Sequence, residues 1–452
     1  MFHRDRGPMT EMSADKLARV NVLLSSLPGD MAERMCTAAA KGDPALGRLL
    51  TYCRLGAEES ARRRFFEPLD PVSGDPGAHR PSRAYAPAAL QQTIWSWLDE
   101  IAPDVTAAAR EAASDFDTDA PGRLDGMRVR AAEVMVEQIH GLKDNPKAAK
   151  KLRARLEMTD FEPIENVASL LRAAPVTRAA LDGLPAYIGE FTDELSASVR
   201  DRYETACDRD PDAAVWVLFL VMARMDRPWR LLRVFERIAR REDDLLLSRT
   251  DMAEIGEALL LDAEHHLDGF AAAPQTVAEA EAAAGALADF AAVTVGMTRE
   301  IGIRKDGAWG AKLFELRQRA SENMTRLHRA ALDAFKRATP EEGGLKRPVG
   351  PAPKSGEPGH ERACALGRFL IITRDDSSRA AVGNAHQATL EEINERLERF
   401  ADKLLYSIRS GTGDQVETLS ARLEDVAGLM RETGAGEAAE IFLRRVAAAR
   451  AA

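Results

Sequence analysis

The chain has 452 residues, of which 45% are hydrophobic and only 6% aromatic, and its formal net charge is −10. This length suits two or three domains, and few aromatic residues with much alanine favour helices packed on helices over sheets. The acidic balance argues against bulk binding of nucleic acid, which needs Lys and Arg to neutralise phosphates.

The cysteines and the N-terminus indicate the compartment. The four cysteines are scattered and none has CxxC spacing, so we expect reduced thiols and no structural zinc site. The first 20 residues carry charges but lack the apolar stretch of a signal peptide. We therefore predict a soluble, cytoplasmic protein and assign it no cofactor.

Capping signals and apolar residues at helical spacing recur along the chain and predict an all-α fold. Asn145 before Pro146 predicts a helix start, and capping boxes are predicted at Thr276 and at Asp414. Residues 1–338 form the predicted main region, with a candidate division near 158–163. An irregular multi-helix bundle is the predicted architecture, and a degenerate α-solenoid is the alternative.

The first candidate site is the stretch from Arg62 to Pro87, which is rich in Pro and Gly and too long for an ordinary connection. Its arginines predict an anion-binding or partner-binding loop. The plainer interpretation is an ordered connector whose arginines pair with Glu67, Asp70 and Asp75, because six arginines meet five acids between positions 54 and 83. The candidate binding residues are Arg62, Arg63, Arg64, Arg80 and Arg83.

Two further basic rows follow along the chain. Residues 145–155 place lysines and arginines along one helix, but no aromatic residues are interleaved for base stacking. A second row follows the apolar run 213–223, which is too short to span a membrane and predicts a buried core helix. Its arginines share one predicted helix face and are candidates for binding an acidic partner, RNA or a phosphorylated ligand: Arg230, Arg233, Arg237 and Arg240. A solvated face is the alternative for both rows.

Histidines at helical spacing raise the question of a metal site. Glu137 and His140 have the Glu-x-x-His spacing of di-iron helical bundles, and Asp262 with His265 is an imperfect second copy. The two further glutamates that such a site needs cannot be assigned. We therefore predict ordinary histidines and no metal ligands.

The C-terminal third is predicted to hold two long helices, a linker and a small module. The helices run from about residue 276 to 303 and from about 309 to 337, and we expect them to pair as an antiparallel hairpin. Residues 339–360 predict a flexible Pro/Gly-rich linker. Residues 361–452 show three amphipathic stretches separated by glycines, which predict a helical bundle or coiled-coil hairpin that binds a protein partner or itself.

Function is open at this point. The sequence has no phosphate-binding GxxxxGK[ST], GxGxxG, GxSxG or HExxH motif. The favoured hypothesis is a non-enzymatic, cytoplasmic helical interaction, scaffold or regulatory protein. The first alternative is an RNA- or DNA-associated protein that uses the basic helix faces, and the second is a helical-bundle metalloenzyme.

Overall fold

The computed structural model describes residues 14–75, 77–114, 121–234, 253–301, 303, 307–340, 353–379, 383–411 and 413–451. Within these ranges the chain forms 19 α-helices and no β-strand, which confirms the predicted all-α fold class. Helix packing divides the chain into two compact units, Met1–Val234 and Phe235–Ala452.

The described part of the first unit contains eleven α-helices and three 3₁₀ turns. The α-helices are α1 Ala14–Ser25, α2 Gly29–Gly42, α3 Pro44–Leu55, α4 Ala57–Phe66, α5 Ala88–Ile101, α6 Pro103–Ser114, α7 Pro121–His140, α8 Pro146–Arg155, α9 Glu162–Leu181, α10 Asp193–Arg209 and α11 Pro211–Arg224. The 3₁₀ turns are Glu67–Val72, Pro81–Arg83 and Pro228–Leu232.

The described part of the second unit contains eight α-helices. They are α12 Ala253–Gly269, α13 Val277–Glu300, α14 Ala308–Ala338, α15 Pro358–Ile372, α16 Arg374–Arg379, α17 Gly383–Ser410, α18 Asp414–Glu432 and α19 Gly436–Ala451.

The second compact unit contains both the predicted linker and the predicted C-terminal module. Helix α15, the first of the predicted C-terminal module, packs against α13 and α14 within the second unit. Most of the predicted linker, residues 341–352, lies outside the described residues. Thr339, at its start, is fully buried, and its hydroxyl and carbonyl oxygens accept hydrogen bonds from Arg396 at 2.8 and 2.7 Å. In the first unit, α7 and α9 pack side by side across the predicted break at 158–163.

The core of the first unit is built around α11, which matches the apolar run 213–223. Every residue from Trp216 to Ala223 in this helix is buried, as predicted. Asp210 caps the helix by accepting hydrogen bonds from the amides of Asp212 and Ala213. Arg224 ends the helix at the surface, where a cation offsets the negative end of the helix dipole.

The predicted helix starts are partly confirmed. Asn145 accepts a hydrogen bond from Ala148 N at 3.1 Å, and Thr276 accepts one from Glu279 N at 3.2 Å. The capping box at Asp414 is wrong, because Gly413 occupies the cap position and Asp414 is already helical. A glycine at φ 57° makes the turn into α18 there, a conformation that residues with a side chain rarely adopt.

The two long helices of the second unit are present but do not pair chiefly with each other. Helix α13 packs mainly on α12 and α15, and α14 packs mainly on the same two helices. The two long helices touch where Arg317 donates a hydrogen bond to the carbonyl oxygen of Thr294 at 3.1 Å. The apolar stripe of each helix therefore packs against two neighbouring helices. Periodicity alone does not specify which helices these are.

One described helix, α13, is long and apolar enough to cross a membrane by length and composition. In its most apolar window, 56% of the residues are buried within the structure. Fully buried side chains of this helix include Leu287 and Met297, which pack inside the second unit. Burial of this kind is also what a core helix of a helical domain requires.

Candidate functional site

A cavity of about 280 Å³ in the first unit is formed largely by the Arg62–Pro87 stretch. The stretch supplies six of the ten lining residues, and short segments before α10 and at the end of α11 supply the rest. The polar or charged side chains among them belong to Asp70, Ser73, His79, Arg83, Tyr187 and Arg224. The predicted loop is thus one wall of a concave site whose other walls lie more than 100 residues further along the chain.

Two short turns give the loop a fixed shape. They are the 3₁₀ turns Glu67–Val72 and Pro81–Arg83. A hydrogen bond from Ala86 N to the carbonyl oxygen of Val72, at 3.1 Å, joins the end of the first turn to the segment that follows the second. Gly74 lies where these turns meet. A Cβ atom at this position would stand 2.5 Å from the carbonyl oxygen of Arg83, so only glycine allows the close approach.

Arg83 carries the site's unmet hydrogen-bonding capacity. Its Nη2 atom donates to the carbonyl oxygen of Met225 at 3.3 Å, which ties the loop to the end of α11. Its Nε atom is buried and has no acceptor in the described part of the chain. A buried donor without a partner costs about 1–3 kcal/mol. Arg83 is a lining residue of the cavity, so a ligand acceptor that reached this guanidinium would be stabilised.

Arg224 adds a second guanidinium to the same cavity. Its Nη1 atom reaches the carbonyl oxygen of Pro185 only weakly, at 3.5 Å, and in the described part of the chain Arg224 forms no ion pair with a carboxylate. Burial lowers the pKa of Arg224, although a guanidinium stays charged in any case. The wall that carries Arg83 and Arg224 is therefore positive and unneutralised.

Asp70 is the cavity's acidic group. Asp70 is exposed to solvent, but neighbouring protein partly desolvates its carboxyl, and this raises its pKa to about 6. The nearby charge of Glu67 adds to the effect, and that of Arg63 opposes it. No described cation forms an ion pair with it. Asp70 is thus mostly ionised at neutral pH and becomes neutral in mild acid.

Ser73 and Tyr187 complete the polar lining. Ser73 Oγ accepts a hydrogen bond from Gln91 Nε2 at 2.7 Å, which leaves the hydroxyl hydrogen of Ser73 available to donate. Tyr187 is 66% exposed at the edge of the cavity. An exposed aromatic ring beside charged groups offers apolar contact to whatever enters.

A buried ion network anchors the beginning of the loop. Arg128 on α7 donates to the carbonyl oxygens of Arg64 and Phe65 at 2.7 and 2.9 Å, and so caps the end of α4. Asp125 accepts from Arg128 Nη1 at 2.9 Å and from Arg178 Nε at 3.0 Å. Arg128 and Asp125 are 2% and 4% exposed, so this pair is shielded from water.

Three of the predicted binding residues pair with other groups of the protein and do not line the cavity. Arg62 and Arg63 both pair with Glu59, at 2.7 and 2.9 Å. Arg64 donates to the carbonyl oxygen of Ala112 on α6. The pairing acid is thus a residue one turn earlier in the same helix, and not one of the loop acids that the plainer interpretation named.

The remaining predicted arginines are dispersed. Arg80 is half-buried at the start of the turn that contains Arg83, and it takes part in further interactions. Arg230 lies within the 3₁₀ turn Pro228–Leu232, and Arg233 directly follows it. Both are half-buried, and neither lines the cavity. Arg237 and Arg240 lie outside the described residues. Of the nine predicted residues, the structure places Arg83 in the cavity, and it adds Arg224, which was not among the predicted binding residues.

The basic row at 145–155 and the candidate histidines do not form a binding site among the described residues. Arg155 of the 145–155 row pairs with Glu100, and Arg153 lies over the Phe161 ring. His140 is exposed at the end of α7. Among the residues that the structure describes, no group of three or more His, Cys, Asp or Glu side chains is placed to hold a metal ion.

A larger groove of about 680 Å³ lies in the second unit, along α14 and the end of α12. Its charged groups are mostly satisfied within the protein. Arg319 pairs with Glu264 and with Asp268, and Arg326 donates to Asn323. This groove lacks the buried, unpartnered donor that marks the smaller cavity.

Comparison with family models, with curated proteins and with solved structures finds no match to this chain.

Proposed function

We propose that this chain is a non-enzymatic regulatory or interaction protein of the cytoplasm, whose loop cavity recognises a carboxylate-bearing ligand. One observation carries the proposal: Arg83, with a buried Nε lacking an acceptor, shares a small cavity with Arg224, and no described carboxylate neutralises either. A planar guanidinium matches the geometry of a carboxylate, to which it can donate two parallel hydrogen bonds.

The size of the cavity supports a small ligand or a single group of a larger one. Ligand cavities in proteins usually measure about 300–1,000 Å³, and this one has about 280 Å³. A carboxylate on one residue or one small metabolite fits that space. A folded partner would reach the arginines only through one projecting acidic group.

The nucleic-acid alternative has weaker support. In the basic row at 145–155, Arg155 forms an ion pair with Glu100 within the protein. Arg230 and Arg233 are half-buried. No described aromatic ring is interleaved with the row for base stacking apart from Phe161, which Arg153 already covers. Pairing of residues 361–452 with a partner protein stays a prediction, and so does the coiled coil.

The direct test is a titration with sodium acetate against sodium chloride at equal ionic strength. The side-chain Nε–H resonance of Arg83, in a ¹H–¹⁵N spectrum, should shift and saturate with acetate. Arg83→Gln lacks this resonance, so acetate affinity in both proteins is also measured from the backbone amide resonance of Gly74, another lining residue of the cavity. The affinity should fall by about tenfold or more in Arg83→Gln, the ratio expected for one charge-assisted hydrogen bond.

Arg34→Gln is the matched control, because Arg34 is an exposed arginine with 79% of its side chain accessible, and it lies outside the cavity. This variant should bind acetate as the wild type does. Equal acetate affinity in the wild type and in folded Arg83→Gln would refute the proposal, as would the absence of any saturable shift.

A further inference from the structure

The cavity holds two opposite charges that do not pair with each other. Asp70 lines one part of it, and Arg83 and Arg224 line another. No ion pair within 4.0 Å joins Asp70 to either arginine, although all three share about 280 Å³. The two guanidinium groups have lost part of their water shell by burial, so a ligand that completes them would be stabilised.

A separated positive and negative wall is complementary to a ligand that carries both charges. A simple anion would satisfy the arginines but would meet the carboxylate of Asp70 as a like charge. A simple cation would meet two guanidinium groups. A zwitterion places its carboxylate on the arginines and its ammonium on Asp70, so that each charge finds its opposite.

We propose that the cavity binds a free α-amino acid or a similarly small zwitterion, with its carboxylate on Arg83 and Arg224 and its ammonium on Asp70. This inference rests on the proposed function, because it uses the same arginines. The free hydrogen of the Ser73 hydroxyl supplies a further donor. Tyr187, 66% exposed at the edge, contacts the ligand's side chain.

The charge on the amino group distinguishes a free amino acid from a peptide C-terminus. A peptide C-terminus offers the carboxylate but has an uncharged amide where a free amino acid has an ammonium group. Asp70 would then face an N–H donor without a charge, and binding would be weaker by the difference between a neutral and a charge-assisted hydrogen bond. N-acetylglycine reproduces this terminus, and glycine reproduces the zwitterion.

The experiment compares glycine with N-acetylglycine on the full chain at pH 7.5, with the Arg83 Nε–H resonance as the signal. Wild-type protein should bind glycine about tenfold more tightly than N-acetylglycine. Asp70→Asn should abolish this preference while it retains or increases the affinity for N-acetylglycine, because a like charge has been removed. Asp70 forms no ion pair in the described part of the chain, so the variant should fold; a far-ultraviolet circular dichroism melt verifies this.

Each outcome has one meaning. Equal or stronger binding of N-acetylglycine by the wild type would overturn the zwitterion while carboxylate recognition stands. A glycine preference that survives Asp70→Asn would overturn the role of Asp70 and therefore the inference. If neither glycine nor N-acetylglycine binds, or if both bind equally well to Arg83→Gln, the proposed function and the inference are both wrong.

Discussion

Two buried histidines in the second unit make its stability depend on pH. His328 on α14 and His386 on α17 are 5% and 1% exposed, and their Nε2 and Nδ1 atoms lie 3.2 Å apart. His386 Nε2 lies 2.8 Å from the carbonyl oxygen of Leu370, so this nitrogen carries a hydrogen. His386 Nδ1 is then the acceptor and His328 Nε2 the donor, an arrangement that needs a neutral His386 ring.

Burial lowers the pKa of His328 from 6.5 to about 4, and the neighbouring His386 adds to the effect. Burial also lowers the pKa of His386. The unfolded chain therefore takes up a proton at His328 near pH 6.5, whereas the folded protein resists until about pH 4. Stability is fully present above pH 6.5 and is lost as the pH falls toward 4.

The magnitude follows from the two pKa values. Each pKa unit corresponds to about 1.4 kcal/mol, and the pKa of His328 falls from 6.5 to about 4, so the full loss through His328 is about 3–4 kcal/mol. Between pH 7 and pH 5 the part due to His328 is about 2 kcal/mol in the free energy of unfolding. His386 acts in the same direction.

The assay is urea unfolding at pH 5, 6 and 7, followed by tryptophan fluorescence. Of the five tryptophans, only Trp309 lies in residues 235–452, and it is buried on the same helix as His328. His328→Gln should reduce the difference between pH 7 and pH 5 by about 2 kcal/mol. His140→Gln removes an exposed histidine and should leave the difference unchanged. Identical pH dependence in His328→Gln and His140→Gln would refute the reasoning.

Two further predictions concern the scaffold of the cavity. Asp125→Ala leaves the buried guanidinium of Arg128 unpaired and should lower the free energy of unfolding by about 3–5 kcal/mol, whereas Glu133→Gln, at an exposed pair, should cost less than about 1 kcal/mol; equal urea midpoints would contradict this. Gly74→Ala forces the loop backbone apart and should weaken acetate binding and cost about 1–3 kcal/mol, whereas Gly77→Ala, whose Cβ would meet only an ordinary 3.5 Å contact, should do neither.

The helices follow from sequence because their signals are local. The run 213–223 is apolar on all sides and becomes the buried α11, and the cap at Asn145 uses atoms three residues apart. Which helix packs on which is decided by tertiary competition. Both long helices of the second unit offer stripes that fit several neighbours, so the predicted hairpin did not become their main contact.

The cavity was predictable only in part. Length and composition singled out the Arg62–Pro87 loop, and Arg83 belongs to it. Its partner Arg224 lies 141 positions later, and no spacing rule connects the two. Asp125 and Arg128 form an ordinary i, i+3 pair in sequence. The sequence does not show that this pair is buried or that Arg128 caps another helix.

The cap that Arg128 places on the end of α4 bears on how quickly a ligand binds. With one end of the loop fixed by that guanidinium and the middle fixed by the Gln91–Ser73 hydrogen bond, the recess exists before anything enters it. A preorganised recess requires little ordering on association, so the entropic penalty is small and the encounter proceeds without a slow rearrangement.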